Sequence, residues 1–185
     1  MKASQTLPEQ ELVERLRDEK TRNRAFEQLM VLYQEQLYWH IRRMVKTHDD
    51  TDDVLQNTFI KAWKAIASFR GDAKLRTWLY RIATNESLTF LNKQKKASFS
   101  ELADIENDMH HSHQGGGGPD GDEIQQKLEA AVATLPEKQK LVFRMKYYDD
   151  LKYQEIADIL GGSVGSLKAS FHHAVKKIEK FLQSG

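Results

Sequence analysis

Apolar residues recur at steps of three and four along most of this chain, which is the spacing of one buried face of an α-helix. The pattern is clear up to residue 96 and again after residue 122. It stops over residues 98–122, where four successive glycines, a proline and several acids offer little to bury. We therefore predict an all-α protein with two small helical domains, residues 1–97 and 123–185, joined by this flexible linker.

Residues that favour helix ends set the expected boundaries in the first domain. A first helix is expected to hold Pro8 in its opening turn, where proline's missing N–H costs nothing. A second helix is expected over residues 23–46. In the polar run THDDTDD that follows, Asp49 or Thr51 is the expected N-cap of a third helix, because short polar side chains can accept from the first free N–H groups.

The composition limits the chemistry that the chain can perform. With 185 residues and a formal charge of +1, the chain suits small domains, and any contact with nucleic acid must come from segregated charge. The absence of cysteine excludes disulfides, thiolate zinc sites and cysteine nucleophiles. His110, His111 and His113 lie in the glycine-rich tract without a ligand scaffold, so no metal site and no cofactor is expected. No stretch has the length of a membrane span, which predicts a cytoplasmic protein without membrane insertion.

The stretch over residues 69–96 combines a locally positive charge with aromatic residues. Its acids are Asp72 and Glu86. Its cations are Arg70, Lys74, Arg76, Arg81, Lys93, Lys95 and Lys96. The aromatic residues between them are Phe69, Trp78, Tyr80 and Phe90. On pattern alone the favoured interpretation is an amphipathic helix with a solvated basic face. The alternative is nucleic-acid contact, because aromatic faces beside guanidinium groups are suited to stacking on unpaired bases.

The helix expected from residue 52 has two different faces. An apolar set marks the face that should be buried: Val54, Leu55, Phe59, Ala62, Trp63 and Ile66. The opposite face carries Asp53, Gln56, Asn57, Lys61 and Lys64. On pattern alone this polar face contacts either water or a partner, and water is favoured.

The second domain begins with a helix whose buried residues should be Ile124, Leu128, Ala131, Val132 and Leu135. Further on, the spacing of Ile156, Ala157, Gly161, Val164 and Leu167 is that of a helix-turn-helix. Gly161 supplies the backbone freedom that a short turn requires, and Ala157 is small where the two helices cross. An ordinary helical hairpin remains the alternative.

If the second helix of this motif enters a major groove, its outward residues meet DNA. Ser163 and Ser166 at its start can donate to phosphate. Base edges would be met by Lys168, Ala169, His172 and His173, and the backbone by Lys176 and Lys177. With so few cations, the intrinsic affinity of this domain for DNA is expected to be weak.

Two separate motifs, in the right order, now point to one family. The first domain contains DDTDDVLQNTFIKAWKAI followed by FRGDAKLRTWLYRIATN, and the second contains LPEKQKLVFRMKYYDDLKYQEIADILGGSVGSLKASFHHA. In both, the chain resembles the extracytoplasmic-function (ECF) class of bacterial sigma factors in the sigma-70 family. The resemblance covers nearly everything except the linker. It implies that the first domain is a sigma region 2 bundle and the second a sigma region 4 helix-turn-helix.

The resemblance implies that region 2 binds the β′ clamp helices of the RNA polymerase core. The implied polymerase-binding residues are Asp52, Asp53, Gln56, Asn57 and Lys61. Region 2 would also melt the promoter at its −10 element and capture a flipped base near residues 71–76. The implied −10 contacts are Arg70, Gly71, Asp72, Lys74, Arg76, Arg81, Asn85 and Asn92. The resemblance therefore implies that the polar face of the third helix contacts a partner, whereas the pattern alone favoured contact with water.

Region 4 would read the −35 element and contact the polymerase β flap. Its implied DNA contacts are Ser163, Ser166, Lys168, Ala169, His172, His173 and Lys176. The linker would thread through the polymerase near the RNA exit path, and an anti-sigma factor would hold the protein inactive.

The chain departs from the family pattern after the turn of the helix-turn-helix. It has Gly162, Ser163 and Val164 where the family has a hydrophobic residue and serine before the valine, and it lacks the usual arginines further along. The promoter sequence is therefore left open. An enzyme is not expected, because no phosphate loop, metal-ligand spacing or hydrolase triad is present. A dimeric helix-turn-helix repressor that never contacts polymerase remains the rival interpretation.

Overall fold

The computed structural model describes residues 8–102 and 121–184. Within these ranges every regular element is a helix, which confirms the predicted all-α class. The described residues divide into two compact units: the first comprises those up to Asn92 together with Asp158–Leu160, and the second comprises the others. Residues 103–120, and with them most of the predicted linker and its three histidines, lie outside the described residues. No helix in the described ranges is both long enough and apolar enough to cross a membrane.

The first unit contains helices joined by short connections. Their bounds are α1 Glu9–Arg17, α2 Arg22–Arg42, α3 His48–Ala65, a 3₁₀ turn Ile66–Ser68 and α4 Leu75–Leu102. Pro8 is the N-cap of α1, one position earlier than predicted. Helix α4 continues past residue 97, so the helical pattern extends into the stretch that was predicted to be linker.

The core of the first unit draws on all four of its helices. Fully buried apolar side chains come from each: Leu12, Leu16, Leu29, Leu37, Ile41, Val54, Ala62, Leu79 and Ala83. Several polar side chains lie among them, including His40, which is 2% exposed and whose Nε2 is 2.9 Å from the hydroxyl of Thr84. That hydroxyl donates to the carbonyl of Tyr80 at 2.7 Å, so Nε2 donates to Thr84. Burial of this imidazole is tolerated because it is hydrogen-bonded.

The boundary between α2 and α3 differs from the prediction. Helix α2 ends at Arg42, and Met44 and Val45 are buried after it, where both backbone N–H groups donate to the carbonyl of Ile41. The predicted N-caps of α3, Asp49 and Thr51, are wrong. Thr47 is the N-cap, and its hydroxyl accepts from the backbone N–H of Asp50 at 3.1 Å. The polar run is therefore mostly the first turn of α3, since acids at a helix N-terminus are favoured.

The C-terminal part of the chain contains α5 Gly121–Ala133, α6 Glu137–Tyr147, α7 Tyr153–Leu160 and α8 Val164–Gln183, which supply most of the second unit. Its best-defined cluster is formed by α5, α6 and α8 through Ala131, Val132, Leu135, Phe143, Ala174 and Ile178. Ile124 was predicted to be buried, but it is 73% exposed. The apolar cluster begins only one turn later, at Leu128, so the first turn of α5 has no apolar surface to cover.

Helices α7 and α8 form the predicted helix-turn-helix. Gly161 has φ 76° and ψ 174°, and Gly162 has φ 93°, both in regions that side chains with a Cβ rarely adopt. Leu167 is fully buried, and Val164 is half-buried at the start of α8. The glycine turn therefore sets the angle at which α8 leaves α7.

Replacement of Gly161 by alanine is expected to destabilise this turn by about 1–3 kcal/mol, because its backbone angles are essentially restricted to glycine. Nothing lies within 4 Å of the added Cβ, so the cost is conformational rather than steric. Amide hydrogen exchange of α7 and α8 in the full chain measures the effect as faster opening. Gly165→Ala is the matched control: its backbone is helical, its added Cβ would lie 4.0 Å from Ser163 Oγ, and exchange should not accelerate. Equal exchange in Gly161→Ala and the parent would contradict the prediction.

Candidate nucleic-acid interface

All five residues predicted to bind polymerase lie on exposed positions of α3. Val54, Thr58 and Ala62 are buried on the opposite side of the helix. Helical spacing places four exposed residues in one outward stripe, which we call the α3 face: Asp53, Gln56, Asn57 and Ile60. The structure thus brings three of the predicted residues together at the centre of one surface.

Two apolar residues on or beside this face were missed by the sequence reasoning. Ile60 is 44% exposed, although it follows Asn57 by three positions and Asp53 by seven, a spacing that could have revealed it. Trp63 was predicted to be buried, but it is 40% exposed, with one ring edge against Phe26 at a centroid distance of 5.1 Å. Exposed large apolar side chains among polar ones are typical of protein interfaces.

The remaining two predicted residues lie at the edges of this face and already have partners. Asp52 lies 3.5 Å from His48 Nδ1. Lys61 forms an ion pair with Glu86 of α4, whose side chain is only 12% exposed. Lys61 therefore links α3 to α4 in addition to any role at a partner surface.

The loop between the 3₁₀ turn and α4, residues 69–74, presents four of the predicted −10 contacts. Arg70, Gly71, Asp72 and Lys74 are all exposed. Gly71 has φ 83°, which turns the backbone in a way that favours glycine. The loop therefore offers polar groups and a sharply turned backbone to the outside.

Three of the four aromatic residues predicted to stack on bases are instead part of the core. Phe69 and Trp78 are each 8% exposed and pack on one another at a centroid distance of 5.0 Å. Tyr80 is 1% exposed and packs on His40 at 4.8 Å. The prediction of base stacking is wrong for these rings, because the turn of α4 from Thr77 to Tyr80 is buried on all sides. Phe90 is half-buried.

A cleft of about 400 Å³ between α3 and α4 brings further predicted residues together. It is lined by Lys61, Lys64, Ala65, Trp78, Arg81, Ile82, Asn85 and Glu86. Arg81 and Asn85 were predicted −10 contacts, whereas Lys64 was read only as part of a polar face. Because Lys61 is paired with Glu86, Lys64 and Arg81 are the cations that give the cleft its net positive charge.

The other two predicted −10 residues lie apart from the cleft. Asn92 is exposed, two helical turns beyond Asn85. Arg76 is half-buried, and its guanidinium carbon lies 5.2 Å from the centroid of the Tyr80 ring. Arg76 is thus the least accessible member of the predicted set.

In the second unit, all seven predicted −35 residues are exposed. Ala169, His172, His173 and Lys176 lie opposite the buried side of α8, which holds Leu167, Ala174 and Ile178. Lys168 lies at the flank of α8, with its Nζ 5.9 Å from the Tyr153 ring centroid. These positions form one outward surface that a DNA groove can meet.

The two serines at the start of α8 form its cap. Ser163 Oγ accepts from the backbone N–H of Ser166 at 3.1 Å, and Ser166 Oγ donates to the carbonyl of Ser163 at 2.8 Å. The single hydroxyl proton of Ser166 is therefore engaged within the cap. Its donation to a phosphate stays a prediction that requires this hydrogen bond to break.

The geometry defines a class of protein: a helical module with an exposed α3 face and a basic cleft, followed by a helix-turn-helix module whose second helix exposes a polar surface. Among the residues described, no three histidine, aspartate or glutamate side chains are grouped to hold a metal ion. Comparison with known families agrees with this class. Residues 29–97 match the model of sigma-70 region 2, and residues 125–178 match that of sigma-70 region 4.

The ECF RNA polymerase sigma-E factor of Salmonella typhimurium is 34% identical to this chain, with 97% of each chain covered. The chain therefore belongs to the sigma-70 family of transcription initiation factors, in its ECF class. The predicted resemblance is confirmed, and with it the sequence-based expectation of a promoter-directing factor.

Two solved structures are similar to the chain in fold. One is the sigma factor RpoE in complex with the anti-sigma factor NepR from Bartonella quintana, with a TM-score of 0.67, 24% identity, and coverage of 85% of this chain and 96% of that one. The other is CnrH in complex with the cytosolic domain of CnrY, with a TM-score of 0.69, 21% identity, and coverage of 95% and 97%. At these identities the comparison supports the fold alone.

Proposed function

We propose that this chain divides promoter recognition between its two modules. Residues 1–97 bind the RNA polymerase core and open the −10 element, residues 123–185 dock on the −35 element, and residues 98–122 connect them. The observation that carries this proposal is the cleft between α3 and α4, which places Arg81 and Asn85 beside Lys64 on the module that also bears the α3 face. One module can thus hold polymerase and single-stranded DNA together.

The α3 face is the proposed contact for the β′ clamp helices of polymerase. It combines the apolar side chain of Ile60 with the amides of Gln56 and Asn57 and the carboxylate of Asp53. Interfaces commonly place an apolar anchor among polar groups that fix the register of the two partners. Trp63 widens the apolar part of the surface at one edge.

The 69–74 loop and the cleft are the proposed −10 site. Flipping a base out of duplex DNA costs a few kcal/mol, which the protein must offset. Because Phe69, Trp78 and Tyr80 are buried, we assign that task to polar groups. The exposed backbone around Gly71 meets the flipped base, and Arg81 and Lys64 neutralise phosphates of the non-template strand, with the Asn85 amide available to a base edge.

The outward surface of α8 is the proposed −35 reader. The side chains at its centre are the methyl group of Ala169 and the imidazole rings of His172 and His173, whereas Lys176 and Lys177 follow one turn later. This arrangement lets the helix approach the groove closely while its lysines contact phosphate. Few phosphate contacts give modest affinity, so binding relies on the polymerase to present both modules at once.

We further propose that an anti-sigma factor controls the chain, in the cytoplasm where transcription takes place. RpoE, which shares the fold, was solved with the anti-sigma factor NepR. The α3 face is the surface such a partner would have to cover in order to exclude polymerase. Region 4 is proposed to contact the β flap of polymerase in the active complex.

Lys168→Ala is expected to weaken binding of the −35 element by about 1–3 kcal/mol while stability stays unchanged, because the side chain is exposed at the flank of α8. The measurement is titration of fluorescent promoter DNA with polymerase reconstituted with each variant, at several salt concentrations. If Lys168 contacts a phosphate, its loss lowers the salt slope by about one, and if it contacts a base, its loss changes the sequence preference. Lys127→Ala, which removes an exposed lysine of α5, is the matched control. Equal promoter affinity for Lys168→Ala and the parent would remove this assignment.

The proposed function is tested by run-off transcription from a promoter library with purified core polymerase. Addition of the chain is expected to start transcription from a defined subset of promoters, through a stable one-to-one complex with core enzyme. The rival repressor interpretation predicts a homodimer that binds palindromic DNA without polymerase. Core enzyme that initiates identically with and without the chain would contradict the proposal.

A further inference from the structure

Helix α1 contacts the loop that is proposed to capture a promoter base. The Arg17 guanidinium donates to the carbonyl of Phe69 from Nε at 3.2 Å and from Nη2 at 3.0 Å. Nη2 also donates to the carbonyl of Arg70 at 2.7 Å. One side chain at the end of α1 therefore holds the first two carbonyls of a loop more than fifty residues away in sequence.

The other end of the loop is held from the same helix. Glu9 Oε1 accepts from the backbone N–H of Leu75, the first residue of α4, at 2.9 Å. A carboxylate at this position satisfies a free N–H and is favoured by the helix dipole. Glu9 also lies close enough to the phenol of Tyr33 to affect its pKa. Burial raises the pKa of Tyr33, the negative charge of Glu9 raises it further, and the positive charge of Arg76 lowers it.

Arg17 is itself held in place by the start of α2. Arg22 donates from Nε to the carbonyl of Leu16 at 3.0 Å and from Nη2 to that of Arg17 at 3.0 Å. The hydroxyl of Thr21 donates to the carbonyl of Arg15 at 2.8 Å. These bonds satisfy carbonyls at the C-terminus of α1, and burial of Leu16 anchors the helix to the core. The end of α1 that carries Arg17 is therefore tied both to the core and to the start of α2.

We propose that Arg17 and Glu9 are positioning residues for promoter opening, which hold the 69–74 loop in its base-capturing shape before DNA arrives. This inference rests on the proposed function of the loop. Neither side chain needs to contact DNA, since both bind the loop through its backbone. A loop that is already ordered loses less conformational entropy when it binds a flipped base. Its affinity for the base is therefore higher, and strand opening is faster.

The test is Arg17→Met, which keeps an unbranched apolar stem and removes all donors, in polymerase reconstituted with the full chain. Binding of a single-stranded −10 oligonucleotide and the rate of promoter opening are each expected to fall about ten-fold, the change that 1.4 kcal/mol produces. Affinity for core polymerase and for the −35 element should stay at the parental value. Arg17→Lys can still donate to one carbonyl, so it should recover part of this loss. Glu9→Met is likewise expected to lower oligonucleotide binding and promoter opening. Glu9→Gln keeps an acceptor for the N–H of Leu75, so it should retain most of both.

Arg15→Met is the matched control, because Arg15 lies on the same helix and pairs only locally with Glu11 at 2.6 Å. Parental opening by Arg17→Met would overturn the inference. A loss of core affinity as large as the loss of opening would also overturn it, since general unfolding of the module would then explain both. A parental holoenzyme that opens no promoter would instead overturn the proposed function on which the inference rests.

Discussion

Trp78→Ala is expected to lower the free energy of unfolding of the first unit by about 3–5 kcal/mol, the usual cost of removing a large aromatic side chain from a core. Trp78 is 8% exposed and packs on Phe69 at 5.0 Å, so the substitution leaves a cavity beneath the 69–74 loop. The indole also lines the cleft between α3 and α4. Because small domains are stable by about 5–15 kcal/mol, this loss removes a large share of the module's stability.

Urea denaturation of the full chain, followed by far-UV circular dichroism, measures the effect without relying on tryptophan fluorescence. Trp39→Ala is the matched control, since Trp39 is 50% exposed on α2 and its removal leaves a smaller void. We expect the transition of the first unit to shift strongly in Trp78→Ala and little in Trp39→Ala. Equal shifts in the two variants would show that Trp78 is not a core residue.

Ile60→Lys is expected to lower the affinity of the chain for core polymerase by more than about a hundred-fold, or roughly 3 kcal/mol. Ile60 is the apolar member of the α3 face and is 44% exposed. A partner that covers it would have to desolvate the new ammonium group without a designed counter-charge, which costs several kcal/mol. Native gel or surface plasmon measurements with core enzyme give the affinity directly.

Ile124→Lys makes the same chemical change at an isoleucine that is 73% exposed on α5. It should leave polymerase affinity near the parental value, because Ile124 lies outside the α3 face. Thermal denaturation of Ile60→Lys checks that the module remains folded. Parental affinity in a folded Ile60→Lys variant would move the polymerase contact away from the α3 face.

Local patterns predicted the elements of this fold well. The periodicity of apolar residues predicts helices, and the structure has helices within all the ranges where that pattern is clear. The helix-turn-helix was equally visible, because Ile156, Gly161 and Val164 lie within nine residues of one another. Its turn depends on backbone angles at Gly161 and Gly162 that glycine adopts readily, which is a local requirement.

The wrong predictions of burial and exposure arose where packing between helices, rather than the pattern along one helix, decides whether a side chain is covered. Periodicity indicates which residues share a face of α4, but it does not show that other helices cover both faces. Trp78 and Tyr80 were therefore read as available rings, whereas the structure buries both. Trp63 shows the reverse case: it continues an apolar stripe, yet its outer part has no neighbour to cover it.

The amino-acid sequence by itself determined that the chain is helical, that it has two modules, and that its second module carries a glycine-turned helix pair, because these features depend on neighbours along the chain. Only the tertiary structure decided which rings are buried and which loop is held in shape. The bonds from Arg17 to Phe69 and from Glu9 to Leu75 join residues more than fifty positions apart. Such contacts exist only once packing has brought distant segments together, so no local pattern can encode them.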